Sequence, residues 1–218
     1  MGKLLLLIAG VVSLVAAVPL LFVGTGMMWV DVALTDEAGF ITSSPMDAEV
    51  DGYALVAAPE SVELGPDLVL RPSNLVSLRW TAEGAAGTPE AFLGVGPRDL
   101  VDAYLRGTPY AVAEEIEGNE FLLTYRMPSE DGVALASPPA EQSFWIASTS
   151  GSGRQELLWD VNASDVAFVL MNADASDGMS FEITLAARVA ILRPVASAFL
   201  LGGAAALLAG AVLTALAL

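Results

Sequence analysis

Cysteine and histidine are both missing from the 218-residue chain. Their absence excludes disulfide frameworks, Cys–His metal centres, histidine general bases and thiolate nucleophiles. Lysine occurs once, as Lys3, and no charged residue falls between Leu4 and Val30 or between Pro194 and Leu218. Charge of one sign is scarce everywhere else. The stretch from Asp31 to Glu182 holds all 26 acidic residues but only six of the nine basic ones, a net charge of −20. A field of that sign repels phosphate backbones and argues against a nucleic-acid partner.

What remains at the two ends is hydrocarbon. "LLLLIAGVVSLVAAVPLLFVGTGMMWV" (4–30) exceeds the ~20 apolar residues that a helix needs to cross a bilayer core, with Lys3 as the positive flank and Trp29 suited to the far interface. A cleavable signal peptide, cut after Ala17, is the competing reading. Apolar cores of signal peptides run only ~7–15 residues, so the length favours an uncleaved anchor. "PVASAFLLGGAAALLAGAVLTALAL" (194–218) is the second expected span. Gly202, Ala206, Gly210 and Thr214 recur there at every fourth residue, a spacing that lines one helix face with small side chains for close helix packing. Ala9, Ser13 and Ala17 offer a shorter counterpart in the first span, so the two helices are expected to pack together or to dimerise.

The expected organisation is an N-terminal transmembrane anchor (1–30), an acidic β domain (31–188) and a C-terminal transmembrane helix (189–218). Lys3 places the termini in the cytoplasm and the domain outside it, while Arg188 and Arg193 pull the other way; the first helix is given more weight.

The central stretch alternates with a period of two. "MSFEITLA" sets Met179, Phe181, Ile183 and Leu185 against Ser180, Glu182 and Thr184, and "NLVSLRWT" and "EFLLTYRM" follow the same rule. "DVAFVLMN" is apolar on both faces and predicts a central strand. "GFITSS", "DGYALVAA", "EAFLGVG", "SFWIAST" and "QELLWDV" are further strands. Turn signals at short intervals predict a mainly β fold, a single sandwich of jelly-roll type. One short helix interrupts it, where Leu100, Val101, Tyr104 and Leu105 fall at helical spacing before Gly107 and Pro109. There is no internal repeat.

"TDEAGFITSS…DGYALVAA", "FLGVGPRDLVDAYLRG" and "PPAEQSFWIASTSGSGRQELLWDVNASDVAFVLMNADASDG" resemble a group of uncharacterised membrane proteins of actinobacterial type, in which a β-rich region stands between two terminal spans. The resemblance covers most of the chain and implies this same layout. It implies no activity and carries over no functional residue.

Few residues suggest chemistry. "MNADASDG" (171–178) crowds Asn172, Asp174 and Asp177 like a calcium loop. Counted from Asn172, the sixth position is Asp177 where glycine is needed, and the twelfth is Ile183 where glutamate is needed. Asp177-Gly178 is instead a turn dipeptide, so a β-hairpin is expected and no metal. Glu114, Glu115 and Glu117 could pair as acid and base only if their strand bulges, because neighbours on a strand point to opposite faces. "TSGSGR" (149–154) lacks the ending of a phosphate loop and reads as a second hairpin. Asn162-Ala163-Ser164 is a glycosylation sequon, relevant only in an exported domain. Trp145 and Trp159, each within a strand pattern, are expected in the core.

The expectation for function is therefore a non-catalytic binding or assembly role at the cell envelope, with no cofactor and the lipid bilayer as first partner. The alternative is an accessory subunit of a larger membrane complex such as a transporter, meeting another membrane protein, or a second copy, through its helices.

Overall fold

A computed structural model describes residues 2–57, 75–84, 87–117, 120–126, 137–161 and 165–218, with the side chains of 114–117 and 120–126 left aside. These residues form two compact units. One joins Met1–Ile41 to Val189–Leu218, and the other is Thr42–Arg188.

The first unit is a pair of helices, α1 (Gly2–Leu34) and α3 (Leu192–Ala217). Both are long and apolar enough to cross a membrane, and only 11% of the most apolar window of each is buried. At ~1.5 Å per residue, each exceeds the ~30 Å hydrocarbon core. α1 runs on past the uncharged stretch to Leu34, so Asp31 is helical. The residues buried on α1 are Gly10, Ala17, Gly24 and Asp31, spaced by seven; on α3 they are Ala196, Gly203 and Gly210, also spaced by seven. A strict seven-residue repeat keeps one seam facing a partner helix. The helices run antiparallel along this seam with their backbones nearly touching. A Cβ built on Gly10 would lie 2.9 Å from the Thr214 nitrogen, one on Gly24 3.0 Å from the Leu200 nitrogen, and one on Gly203 2.7 Å from Leu21 Cγ.

The small residues singled out by the fourfold spacing therefore divide. Gly210 is buried on the seam, Ala206 and Thr214 flank it, and Gly202 is exposed with open space where a Cβ would stand. Gly203 takes the place expected of Gly202. On α1, Ala17 is on the seam, Ser13 beside it and Ala9 exposed.

The second unit is β-rich and holds two sheets. Its strands are β1 (Ile41–Thr42), β2 (Met46–Val50), β3 (Ala54–Ala57), β4 (Val76–Gly84), β5 (Ala91–Pro97), β6 (Tyr110–Glu117), β7 (Glu120–Arg126), β8 (Ala147–Gly151), β9 (Gln155–Asp160), β10 (Val166–Asn172) and β11 (Met179–Val189). The five-stranded sheet has the order β1-β11-β4-β9, with β2 also paired to β11; the six-stranded sheet has the order β7-β6-β3-β10-β5-β8. β10 is buried at all seven positions between β3 and β5, as its two-faced apolar pattern requires. β2, "MDAEV", is absent from the sequence-based strands, yet it buries Met46, Ala48 and Val50 in strict alternation.

One core cluster draws on both sheets, including Trp80, Trp159 and Ile183 from one and Leu93, Phe168 and Leu170 from the other. Phe168 is its centre: Trp80 and Trp159 meet its ring edge-on at 5.5 and 5.4 Å. Aromatic pairs of that geometry add about 0.5–1.5 kcal/mol to the burial itself.

A second cluster lies on the other face of the six-stranded sheet, where Val56, Phe92, Val169 and Met171 meet Val101 and Leu105. The latter two belong to the short helix α2 (Arg98–Tyr104) and the residue after it. Trp145 is half-buried here and belongs to no strand, since β8 begins only at Ala147. Its ring lies over β5, because Gly94 and Gly96 leave no side chain in the way: a Cβ on either would come within 2.8 or 3.0 Å of it.

The seam makes a direct prediction. Gly210→Leu should lower the unfolding midpoint of the detergent-solubilised protein, by the ~1–3 kcal/mol typical of overpacking. Gly202→Leu, which faces open space, should leave the midpoint unchanged. Equal effects would show that the seam is not where the two helices meet.

Candidate functional site

Four polar constellations stand out. The first is in the helix pair. Asp31 is 5% exposed at the seam, and its Oδ2 accepts a hydrogen bond from Arg193 Nε at 2.6 Å. Arg193 itself is 60% exposed. A carboxylate withdrawn from water needs such a partner, and one between apolar helices is a functional candidate by default. The Thr35 hydroxyl donates to the Asp31 carbonyl and so closes the end of α1. Sequence reading missed Asp31, although its place seven residues after Gly24 was visible.

The second is the Asn172–Gly178 turn. The expected hairpin is not formed: β10 pairs within the six-stranded sheet and β11 within the five-stranded one, so the turn carries the chain from one sheet to the other. No ladder holds it. The buried Asn172 does so instead, its Nδ2 donating to Ser176 O (3.2 Å), Ser176 Oγ (3.0 Å), Asp177 O (3.5 Å) and Gly178 O (3.2 Å). The centre of the turn is thus filled by a donor, where a cation would need oxygen. Asp174 accepts the Ser176 N–H at 3.0 Å, and the Ser176 hydroxyl, followed by that backbone N–H, holds its carboxyl below the usual carboxylate range. Among the described residues, no three carboxylates are grouped to hold a metal ion. Ala175, at φ 61°, and Gly178, at φ 69°, take the left-handed conformations that the turn needs.

The third spans three neighbouring strands of the five-stranded sheet. Ser77 Oγ donates to Asp160 Oδ1 at 2.6 Å and accepts from Arg188 Nη2 at 3.2 Å. This is a serine beside a carboxylate, the pairing that a histidine-free nucleophile would use. Arg188 occupies the hydroxyl's acceptor side, which makes the group a tie between β9, β4 and β11.

The fourth is an aromatic cluster over the six-stranded sheet. Phe144 and Trp145 lie 4.5 Å apart, and Phe92 and Trp145 5.1 Å. Trp145 Nε1 donates to Pro139 O at 2.8 Å, and Tyr104 OH to Ser137 O at 2.9 Å. Burial, and then the Glu141 carboxylate, push the Tyr104 phenol up to about 12.

"TSGSGR" is another passage between sheets, from β8 to β9, and not a hairpin within one. Ser152 and Gly153 of that turn line a shallow cleft with Gly84, Gly87, Thr88, Pro89 and Ala91, and no titratable side chain lines it. The backbone does bulge between Ala113 and Glu115, the condition set for cooperation of the glutamates; the side chains of Glu114, Glu115 and Glu117 lie outside the described residues, as does Asn162.

No family model, no curated protein and no solved structure matches the chain.

Two measurements test these assignments. Asn172→Ala should destabilise the protein by about 1–3 kcal/mol, because the carbonyls of the turn lose the buried side-chain donor that holds them, and calcium should raise the unfolding midpoint of neither form. In alkali, Tyr104 ionises near pH 10 in the unfolded chain but only near 12 in the folded one. Its contribution to stability is therefore intact below pH 10 and is lost as pH rises towards 12. Phenolate absorbance should show one late-titrating tyrosine, and Tyr104→Phe should remove that transition.

Proposed function

We propose that this is a two-pass membrane protein whose β domain, a sandwich of jelly-roll type, stands outside the cytoplasm and serves as a non-catalytic contact module at the cell envelope. The observation that carries the reading is the outer surface of the helix pair. Leu5, Ile8, Val12, Val15, Phe22, Leu201, Leu208 and Val212 are about half exposed or more, with no polar stripe among them. Two helices packed along one narrow seam and apolar everywhere else match a lipid surround. Gly10 and Ala17, which lie before the possible signal-peptide cut, are part of that seam. Their packing supports retention of the segment.

The contact role is supported by how the polar groups of the β domain are used. Ser77 and Asp160 join separate strands, while Asn172 and Trp145 hold the chain segments beside them, which is structural work. The acidic surface suits a cationic or hydrated neighbour. The layout also agrees with the actinobacterial-type membrane proteins that the sequence resembles. A second reading, an accessory subunit acting through its spans, is favoured by one feature: Gly202 faces outward with open space above it, where another helix backbone could approach.

In intact cells, Ser150→Cys and Ser180→Cys should each react with a membrane-impermeant thiol reagent, in a chain that has no other thiol. Protection of both would place the domain in the cytoplasm. Extraction of the protein by alkaline carbonate without detergent would overturn the membrane reading. A stoichiometric membrane partner retained in mild detergent would favour the subunit reading.

A further inference from the structure

The charges able to orient this helix pair in a membrane are few. Lys3 lies in the first turn of α1, Arg193 in the first turn of α3, and Arg188 near the end of β11, a few residues before α3. Cations beside a span resist translocation, so Lys3 holds the termini inside and the two arginines hold the β domain inside. On a simple count the arginines outnumber the lysine, against the orientation proposed above. Geometry alters that count. Asp31 lies buried at the helix seam and meets Arg193 Nε at 2.6 Å, 162 residues away in sequence. Asp36, five residues beyond Asp31, accepts the N–H groups of Ala38 (3.0 Å) and Phe40 (2.9 Å) and shapes the turn after α1. Among the described residues, the ion pair of Arg193 is the one with Asp31.

We propose that Asp31 cancels Arg193 as an orientation signal, so that the pair crosses as a neutral unit and Lys3 decides the topology. The proposal rests on the membrane reading above and deepens it. The guanidinium keeps its charge, but together with the carboxylate that accepts its charge-assisted hydrogen bond it forms a unit of zero net charge at the point where translocation tests it. The acidic residue has this effect because it is locked in the seam, one repeat beyond Gly24, whereas acidic residues in ordinary loops contribute little to orientation. Arg188, which donates to Ser77 Oγ, is then the cation left on the domain side to oppose Lys3 and the α-amino group.

The test uses the full-length chain with Ser150→Cys as its only thiol, labelled in intact cells with an impermeant reagent. The parent should label fully. Asp31→Asn should lower the labelled fraction by roughly two-fold or more, as unmasked Arg193 drives part of the population to the inverted orientation. Asp31→Asn combined with Arg193→Gln should restore full labelling, and Asp31→Glu should keep it. Parent-like labelling of Asp31→Asn in a parent that labels fully overturns the proposal and leaves the orientation standing. So does a double variant as depleted as the single one, and this comparison decides the matter if Asp31→Asn alone accumulates poorly. Protection of the parent overturns the orientation itself, and the proposal with it.

Discussion

The approach of two helix backbones along Gly10, Ala17 and Gly24 on one side and Ala196, Gly203 and Gly210 on the other is the contact on which the arrangement depends. In lipid, apolar side chains gain nothing by leaving hydrocarbon for a neighbouring helix, so association rests on van der Waals contact and polar pairing. Glycine and alanine supply the first by letting main chains touch. Asp31 and Arg193 supply the second at the end of the same seam. Because the seam is antiparallel, Leu34 and Leu192 end up at the same end of the pair, and the segment between them leaves and returns at neighbouring points.

The polar residue in the repeat also restricts the alternatives. A seam of small residues alone is permissive, since sliding one helix past the other by one seven-residue repeat would again bring small groups together. A single charge that must find its partner selects one register, as buried polar residues do in coiled coils. Breaking the pair would leave Asp31 buried without a counter-charge, which is costlier than never having built it.

How much of this could be read from the sequence differs by element, for physical reasons. β10 was legible because a strand buried on both faces has no polar residue to offer, and β11 because its alternation is strict through Ile183. β2 was not, because five residues with two carboxylates carry too little apolar signal outside the pairing with β11. Asp177-Gly178 and Ser152–Arg154 do turn the chain, but a turn signal says only that direction changes. Which sheet receives the next strand depends on long-range pairings such as that of β11 with β2, which no local pattern reveals. On α3, alanine and glycine are so common that several small-residue stripes coexist, and a fourfold spacing selected one only partly in register with the seam. The seven-residue series on α1, ending in a charge, was the more discriminating signal. Ser77, Asp160 and Arg188 come together only through sheet order, with 83 and 111 residues separating the bonded pairs.

Sheet order has a last consequence, for biosynthesis. β11 lies between β4 and the β1 and β2 strands, and it is the last of the described strands to leave the ribosome. Until it emerges, three earlier strands lack their common neighbour, and the inner face carrying Trp80 and Met46 has no complete sheet to belong to. Folding of this half therefore waits for a late strand and is of high contact order, a regime that is slow and prone to edge-to-edge association. α3 follows β11 by only a few residues, so the strand that completes the sheet and the second long apolar helix leave the ribosome in close succession.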